Sequence, residues 1–413
     1  MHNFEYQNNE LYCEQYRISE IAEKIGTPFY LYSQQTLVDH YRKLDTAFAG
    51  IEHLICYSIK ANFNLALCKL LREQGCGADI VSGGELYRAL KAGFDPQKIV
   101  YAGVGKTAAE IEYALTSNIL MFNVESMPEA ELINQIAVRL HKKAKIAIRV
   151  NPDVDAHTHD YVTTGKKENK FGIDYQAAPE FYRTVKKMSN LEVVGMHIHI
   201  GSQIATPQPY VDSIKRLISL LRKLREEGIQ LDVLNIGGGM GIVYSEEVPM
   251  PATELAKAIL PLVKDIGCRL ILEPGRYLVG SAGILIAKVL YVKKTRVKTF
   301  VIIDASMTDL IRPALYDAYH EILPVHKDTH AKLIEVDVVG PVCESADFLA
   351  LDRKLQTVDA GDLIAIMGAG AYGFSMASNY NCRLRPAEVL VQGASHQVVR
   401  RRETYEDLMK QET

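Results

Sequence analysis

Short apolar stretches alternate with helix-like stretches between residues 34 and 277, and this alternation limits the folds open to the chain. The stretches typical of buried strands are 54–61, 78–82, 99–103, 121–124, 146–151, 193–200, 233–236 and 269–272. Helix-like segments separate them, and one more, 34–49, precedes the first. Eight such units predict a closed (β/α)8 barrel of the TIM type. A doubly wound open sheet is the alternative, but regular units without a long excursion favour closure.

The alternation stops near residue 278. Five β-rich runs follow without regular helices between them: 284–291, 299–303, 334–339, 363–367 and 388–392. They predict a separate antiparallel β domain, completed by the alternating N-terminal run 27–32. We therefore expect a barrel domain over 34–277 and a sandwich- or barrel-like β domain from 1–33 plus 278–413. The charged residues from Arg400 onward are predicted to form a solvated tail.

Composition excludes several classes of protein. The net charge is −3 with both signs interspersed, which argues against a nucleic-acid partner. The seven cysteines are scattered without a CxxC pair, so we expect reduced thiols and no metal site. Residues 1–5 lack the pattern of a signal peptide, and no apolar run reaches the roughly 20 residues that span a bilayer. We expect a cytoplasmic protein with no membrane partner.

Polar and glycine residues collect at six of the eight predicted strand ends, where barrel enzymes carry their active sites. The first strand ends in Lys60, a costly residue in an apolar strand. A lysine amine condensed with an aldehyde cofactor, as a Schiff base, is no longer a free ammonium. The alternative is that Lys60 reaches out to water. The other five ends carry Asp79, Arg149, His199 with Ser202, Gly237–Gly239, and Glu273 with Pro274, Gly275 and Arg276.

The last two strand ends favour a phosphate site. Glycine lets backbone N–H groups approach phosphate oxygens, although a triple glycine alone also fits a flexible turn. Glu273 would repel a phosphate, but it suits a cationic ring nitrogen that it keeps protonated. His199 could lie against such a ring, with a satisfied core histidine as the alternative. Together with Lys60, these groups predict pyridoxal 5'-phosphate as the cofactor.

Several motifs resemble those of a known superfamily. The barrel-type pyridoxal-phosphate decarboxylases, which include ornithine, arginine and diaminopimelate decarboxylases, have stretches similar to Tyr57–Asn62, His199–Ser202, Gly237–Gly239 and Glu273–Arg276. Alanine racemase is a more distant relative. Four further stretches resemble the diaminopimelate decarboxylase family: 159–173, 309–316, 340–347 and 368–381. The resemblance runs from about residue 27 to about residue 391 and covers both predicted domains.

This resemblance implies a role for each matching residue. The implied cofactor-binding set is Lys60 (as the Schiff base), Asp79, Arg149, His199, Ser202, Gly238, Gly239, Glu273, Pro274, Gly275, Arg276 and Tyr372. The implied catalytic residues are Lys60, His199 and Cys343, with Cys343 as the proton donor after carbon dioxide leaves. A thiol with a pKa near 8.5 suits that step. On the residues alone, Cys343 also fits a small buried apolar position.

The implied reaction converts meso-2,6-diaminopimelate to L-lysine and carbon dioxide, the last step of lysine biosynthesis. The implied assembly is a homodimer with shared active sites, in which Cys343 and Glu344 come from the partner subunit. The substrate-binding set is Arg276, Arg312, Tyr316, Glu344 and Tyr372. Arginines suit the distal carboxylate and Glu344 the distal ammonium, although Arg312 alone fits a surface salt bridge equally well.

Other functions remain open from the sequence. A related decarboxylase could act on ornithine, lysine, arginine or carboxynorspermidine, and a racemase-type side activity is possible for this barrel. A catalytically silent homologue is the alternative from another class. Intact Lys60, Glu273 and Cys343 argue against a silent protein, which has no need of them.

Overall fold

The structure is a computed structural model that describes residues 2–154 and 170–413. The strands are β1 (Phe4–Gln7), β2 (Glu10–Cys13), β3 (Tyr16–Arg17), β4 (Phe29–Ser33), β5 (His53–Ser58), β6 (Gly77–Ile80), β7 (Ile99–Tyr101), β8 (Met121–Val124), β9 (Ala144–Asn151), β10 (Ile173–Asp174), β11 (Leu191–His197), β12 (Val233–Asn235), β13 (Arg269–Leu272), β14 (Gly283–Lys294), β15 (Thr299–Ile303), β16 (Ile322–Pro324), β17 (Leu333–Val339), β18 (Phe348–Gln356), β19 (Leu363–Ile366), β20 (Ala387–Gln392) and β21 (Ser395–Arg400).

The helices are α1 (Ile18–Ile25), α2 (Gln34–Phe48), α3 (Leu65–Glu73), α4 (Gly83–Ala92), α5 (Ala108–Thr116), α6 (Met127–Arg139), α7 (Ala178–Lys186), α8 (Gln208–Glu226), α9 (Ala252–Val263), α10 (Arg276–Val279), α11 (Arg312–Tyr316) and α12 (Tyr405–Met409). None of these, within the described part of the chain, has both the length and the apolar character needed to cross a bilayer.

The chain separates into two compact units. The barrel unit is His40–Ile242 plus Val248–Tyr277, and the β unit is Met1–Asp39, Val243–Glu247 and Leu278–Thr413. The domain boundaries given by the sequence, a barrel domain over 34–277 and a β domain from 1–33 plus 278–413, stay a prediction.

The barrel unit contains eight parallel strands in the order β9-β11-β12-β13-β5-β6-β7-β8, and β8 pairs back with β9. The sheet is therefore closed, which confirms the (β/α)8 prediction and excludes the open sheet. Four helices begin at side chains that accept a backbone N–H just after a strand end: Asn64, Ser82, Thr107 and Ser126. Such caps satisfy donors that the first helical turn leaves unpaired, so each helix starts close to the barrel mouth.

The strands before Lys60 and His199 end earlier than the sequence predicts. β5 ends at Ser58, and Ile59–Ala61 form a 3₁₀ turn that carries Lys60 out of the strand. Likewise β11 ends at His197, so His199 lies in the loop beyond it. The side chain of Lys60 is 40% exposed. The cost of burying its charge in an apolar strand, which drew attention to it, therefore does not arise.

The β unit contains a larger, mostly antiparallel sheet in the order β18-β17-β15-β14-β4-β20-β21, to which β16 and β19 are attached, and a smaller sheet β1-β2-β3. The N-terminal strand β4 pairs antiparallel with β14 and parallel with β20. This position, with Phe29 and Leu31 fully buried, confirms that the N-terminal segment completes the C-terminal domain.

The predicted C-terminal tail from Arg400 onward has no buried residue, as expected of a solvated segment, but it is not without structure. Ser395–Arg400 pairs with β20 as β21, and a short helix follows at Tyr405–Met409. Arg400 forms an ion pair with the buried Glu388, and Arg401 pairs with Asp407. Glu388 offsets the charge of Arg400, so this first arginine of the basic run can be part of the sheet.

A buried ion pair beneath the barrel mouth predicts a stability effect. Lys106 Nζ lies 2.6 Å from Glu129 Oε1 and donates to the carbonyls of Gly103 and Asn123 at 2.8 Å. Because Lys106→Met leaves the Glu129 carboxylate buried without its cation, we expect the free energy of unfolding to fall by about 3–5 kcal/mol. Urea unfolding at fixed protein concentration measures this. Arg401→Met, which breaks an exposed pair, is the control, and equal losses in both variants would contradict the prediction.

Candidate active site

A lysine and a buried carboxyl meet at the mouth of the barrel. Lys60 Nζ lies 3.4 Å from Asp79 Oδ2, and the Ser58 hydroxyl donates to the same oxygen at 2.6 Å. Burial raises the pKa of Asp79, and the charge of Lys60 offsets this only in part, so the pKa is about 6. Asp79 Oδ1 is buried and has no hydrogen-bond partner in the described part of the chain. The lysine amine therefore sits beside a carboxyl that can change its charge near neutral pH.

Glu273 is buried and surrounded by side chains from three other strands. Its Oε1 accepts from Asn235 Nδ2 at 2.6 Å and from Asn123 Nδ2 at 3.1 Å, and its Oε2 lies 3.2 Å from His197 Nε2. Burial alone would raise the pKa of Glu273, but the charge and hydrogen bond of His197, with Asn235 and Lys60, lower it to about 2. Glu273 is therefore an ionised carboxylate at neutral pH, as a partner for a cationic ring must be.

His199 is a neutral ring beside the glycine turn. Its Nδ1 accepts the backbone N–H of Gly238 at 3.3 Å, which places the ring proton on Nε2. Loss of solvent, and then the positive charges of Arg149 and Lys60, lower the pKa of His199 well below the usual 6.5. His199 is largely buried and has a hydrogen-bond partner, so both a cofactor contact and a satisfied core histidine fit its surroundings.

The residues predicted to hold phosphate lie on adjacent loops. Arg276 Nε and Nη2 donate to Ser202 Oγ at 3.4 and 3.3 Å. A Cβ at Gly238 would lie 2.1 Å from the carbonyl oxygen of Glu273, and one at Gly239 would lie 2.3 Å from that of Gly201. Both positions therefore require glycine for close backbone packing, whatever they bind. Pro274, between Glu273 and Gly275, accepts the backbone N–H of Ser58 through its carbonyl.

Arg149 is part of a buried ion pair. Its Nη1 contacts both oxygens of Glu125, at 3.2 and 3.1 Å, and its guanidinium lies 4.8 Å from the centre of the Phe171 ring. Glu125 also accepts the backbone N–H groups of Gly103 and Gly172. The predicted site residue Arg149 is therefore fixed by a carboxylate that the sequence analysis did not select.

Cys343 and Glu344 lie on an exposed loop of the β unit. The backbone N–H of Cys343 donates to Asn381 Oδ1 at 3.2 Å, and the Tyr380 hydroxyl donates to Glu344 at 2.5 Å. Asp347 holds the loop from below by accepting the backbone N–H of Val342 at 2.6 Å. The thiol is exposed within this unit, so the alternative of a small buried apolar residue was wrong.

Arg312 is buried in the β unit, so the surface salt bridge considered for it was also wrong. Its Nη1 lies 2.8 Å from His320 Nε2, and its guanidinium lies 4.6 Å from the centre of the Tyr244 ring. His320 Nδ1 donates to the carbonyl of Met367 at 2.8 Å, so Nε2 is the acceptor for Arg312. A neutral imidazole thus orients the guanidinium without cancelling its charge.

The two predicted tyrosines also lie in the β unit. Tyr316 ends the short helix that begins at Arg312, four residues earlier and on the same helix face. Tyr372 has a left-handed backbone with φ of 57°, which is uncommon for a tyrosine. The predicted family stretch 159–173 lies outside the described residues as far as residue 169.

Three residues for which no role was predicted from the sequence contact Glu273: Asn123, Asn235 and His197. The sequence does contain a feature that could have identified these three residues. Each is a polar residue within a short apolar strand, where an unpaired polar group is costly. That cost, which drew attention to Lys60, applies to these three residues more strictly because they are buried.

Comparisons with known proteins show the family to which the chain belongs. The family described as "Pyridoxal-dependent decarboxylase, pyridoxal binding domain" matches residues 34–280. Diaminopimelate decarboxylase from Aquifex aeolicus is 49% identical over 407 residues, covering 98% of this chain and 96% of the relative. The crystal structure of diaminopimelate decarboxylase from Helicobacter pylori complexed with L-lysine is 44% identical, with a TM-score of 0.92 and coverage of 95% and 98%. That from M. jannaschii in co-complex with L-lysine is 40% identical, with a TM-score of 0.95 and coverage of 100% and 98%.

A closed barrel with a lysine, a neutral histidine and an ionised carboxylate at its mouth defines a pyridoxal-phosphate enzyme of the barrel type. With these matches along its whole length, the chain belongs to the diaminopimelate decarboxylase family of pyridoxal-dependent decarboxylases. The residues fit the cofactor on two further grounds. Asp79 Oδ1 and His197 Nδ1 are buried polar atoms that have no partner in the described part of the chain. Ser202 and Arg276 offer hydroxyl and guanidinium donors suited to phosphate.

The neutral state of His199 predicts a titration result. In the enzyme freed of pyridoxal phosphate, we expect nitrogen NMR to show His199 as the Nε2–H tautomer throughout pH 8 to 6, because its pKa lies well below 6.5. His199→Gln identifies the signal. The unfolded chain binds a proton near pH 6.5 that the folded chain does not, so this group lowers stability as pH falls below that value. A charged ring at pH 7 would contradict the prediction.

Proposed function

We propose that this protein decarboxylates meso-2,6-diaminopimelate to L-lysine and carbon dioxide, the last step of lysine biosynthesis. The observation that carries the proposal is that likeness to diaminopimelate decarboxylases extends over 98% of the chain, through both units, in a barrel whose mouth suits the cofactor. The scattered free cysteines agree with a cytoplasmic site of action.

The barrel unit would hold pyridoxal phosphate with the residues at its mouth. Lys60 would carry the cofactor on its amine, and Glu273 would face the ring nitrogen while His199 lies against the ring. Asp79 and Arg149 would contribute a negative and a positive charge beside Lys60, Glu273 and His199. The phosphate would be held by Ser202, Gly238, Gly239, Gly275 and Arg276, with Tyr372 as a further donor. When bound, pyridoxal phosphate supplies the electron sink for the pair of electrons that carbon dioxide leaves behind.

Cys343 would move the proton that completes the reaction. After the bond between the substrate α-carbon and its carboxylate breaks, the α-carbon needs one proton, and the Sγ–H of Cys343 can give it. The exposed position of this thiol in the β unit agrees with delivery to a second subunit. We propose a homodimer with two shared active sites, each completed by Cys343 and Glu344 of the partner subunit.

The substrate has an amine and a carboxylate at its far end as well as at the reacting end. Arg312 suits that distal carboxylate because its guanidinium keeps its full charge while His320 and Tyr244 fix its plane. Glu344 suits the distal ammonium. Arg276, Tyr316 and Tyr372 would supply further hydrogen bonds to the substrate.

A substrate panel tests the function. We expect the enzyme with pyridoxal phosphate to release carbon dioxide from meso-diaminopimelate, with L-lysine as product, and to leave L-lysine, L-ornithine and L-arginine unchanged. The reason is that only the first substrate has a distal carboxylate for Arg312. Turnover of ornithine or lysine in its place would retain the cofactor and overturn the substrate assignment.

Mixed dimers test the shared sites. Lys60→Ala and Cys343→Ala proteins should each be inactive, whereas their equal mixture should recover about one quarter of wild-type activity. Half of randomly assembled dimers are mixed, and each mixed dimer has one site with both residues intact. Native mass spectrometry checks that mixed dimers form. Mixed dimers without activity would contradict shared sites.

The role of Arg312 predicts a kinetic change with a matched control. Arg312→Met should lower kcat/KM for meso-diaminopimelate about 10²- to 10³-fold, because a charged pair with the distal carboxylate is lost. Arg353→Met is the control. Arg353 belongs to the same unit, lies over the Tyr319 ring and donates to the carbonyl of His320. Equal effects of the two substitutions would place the loss in folding and not in substrate binding.

A further inference from the structure

Asn235 connects two parts of the barrel mouth through the two ends of one amide. Its Nδ2 donates to Glu273 Oε1 at 2.6 Å, and its Oδ1 accepts the backbone N–H of Gly237 at 2.9 Å. The side chain is fully buried, so neither bond can be replaced by bulk water. The acid after β13 and the glycine turn after β12 are therefore held in one fixed relation by a single residue.

Asn123 adds a second donor from the opposite side of the barrel. Its Nδ2 donates to the same Glu273 Oε1 at 3.1 Å, whereas its own Oδ1 has no hydrogen-bond partner in the described part of the chain. Among the described residues, the side chain of this buried amide thus bonds to Glu273. With two amide donors, Oε1 is fully used, and Oε2, beside His197 Nε2, is the oxygen left for another donor.

We propose that Asn123 and Asn235 are positioning residues that fix the Glu273 carboxylate so that its Oε2 receives the ring nitrogen of the cofactor, and that Asn235 ties this contact to the glycine turn that holds the phosphate. The inference rests on the cofactor site of the proposed function and assigns two residues that the motifs did not select.

Other groups near Glu273 cannot replace this clamp. His197 contacts Oε2, the oxygen that has to stay available. Lys60 and Asp79 act on Glu273 through charges of opposite sign. Charge sets the ionisation of a carboxylate, but only directional bonds set which way its oxygens point.

The test uses holoenzyme reconstituted with pyridoxal phosphate labelled with nitrogen-15 in the ring. For Asn123→Ala we expect cofactor affinity to fall about 10- to 100-fold, as for residues that orient the ligands of a bound group. The ring-nitrogen signal should move toward that of an unprotonated pyridine, because the carboxylate that keeps it protonated turns away. With meso-diaminopimelate, kcat should fall while KM changes by less than about twofold. Asn235→Ser should show the same changes and a weaker phosphate contact.

The matched control is Asn190→Ala. Asn190 also donates one amide hydrogen bond within the barrel unit, to the carbonyl of Lys142, at the amino-terminal end of β11. Its cofactor affinity and ring-nitrogen signal should equal those of the wild type. If Asn123→Ala does not fold, Asn123→Val, which suits a strand, takes its place. Wild-type values for both cofactor measurements, even with lower thermal stability, would overturn the proposal. Neither measurement needs an amino-acid substrate, so a failure to decarboxylate meso-diaminopimelate would be seen separately.

Discussion

A carboxylate buried inside the barrel must be compensated by its neighbours, and much of the mouth is arranged around that requirement. An isolated buried charge would cost many kcal/mol or lose its ionisation. Glu273 avoids this through Asn123 on β8, His197 on β11 and Asn235 on β12. In the order of the sheet, β13 and β8 are separated by β5, β6 and β7. The bond between Asn123 and Glu273 therefore crosses the interior and exists because the barrel closes.

Within the same interior, two buried carboxyl groups have very different pKa values. The pKa of Asp79 is about 6, because burial dominates there, whereas that of Glu273 is about 2, because His197 and Asn235 outweigh burial. Environments that push two acids apart are typical of sites with divided roles. Glu273 is a permanent charge suited to a cationic ring. Asp79, beside Lys60, can exchange its charge when the state of the lysine changes.

The β unit orients charged and reactive groups by a different means. Cys343 and Glu344 lie at the surface, and Asn381, Tyr380 and Asp347 hold their loop through short hydrogen bonds. Arg312 is buried, and a neutral histidine fixes it. The amide of Asn381 positions Cys343, and the imidazole of His320 positions Arg312.

The sequence determined the kind of fold and the kind of chemistry. Alternation of apolar strands with helices predicted a parallel sheet with both faces buried and favoured its closure, and polar residues at the strand ends identified the mouth. The cofactor followed from Lys60, His199 and Glu273, and their family from the motifs around them. Part of the β unit followed as well, because the run at 27–32 has the alternation of a strand.

The tertiary structure decided which residues contact each other and which side chains are buried. It placed Lys60 beyond its strand, buried Arg312, gave Glu273 its donors and paired Arg400 and Arg401 with acids. Each of these depends on which residues distant in the chain meet at hydrogen-bond distance. Sequence periodicity indicates on which face of a strand or helix a side chain lies. It does not indicate which residue that side chain contacts, because barrel closure and sheet register determine the contact.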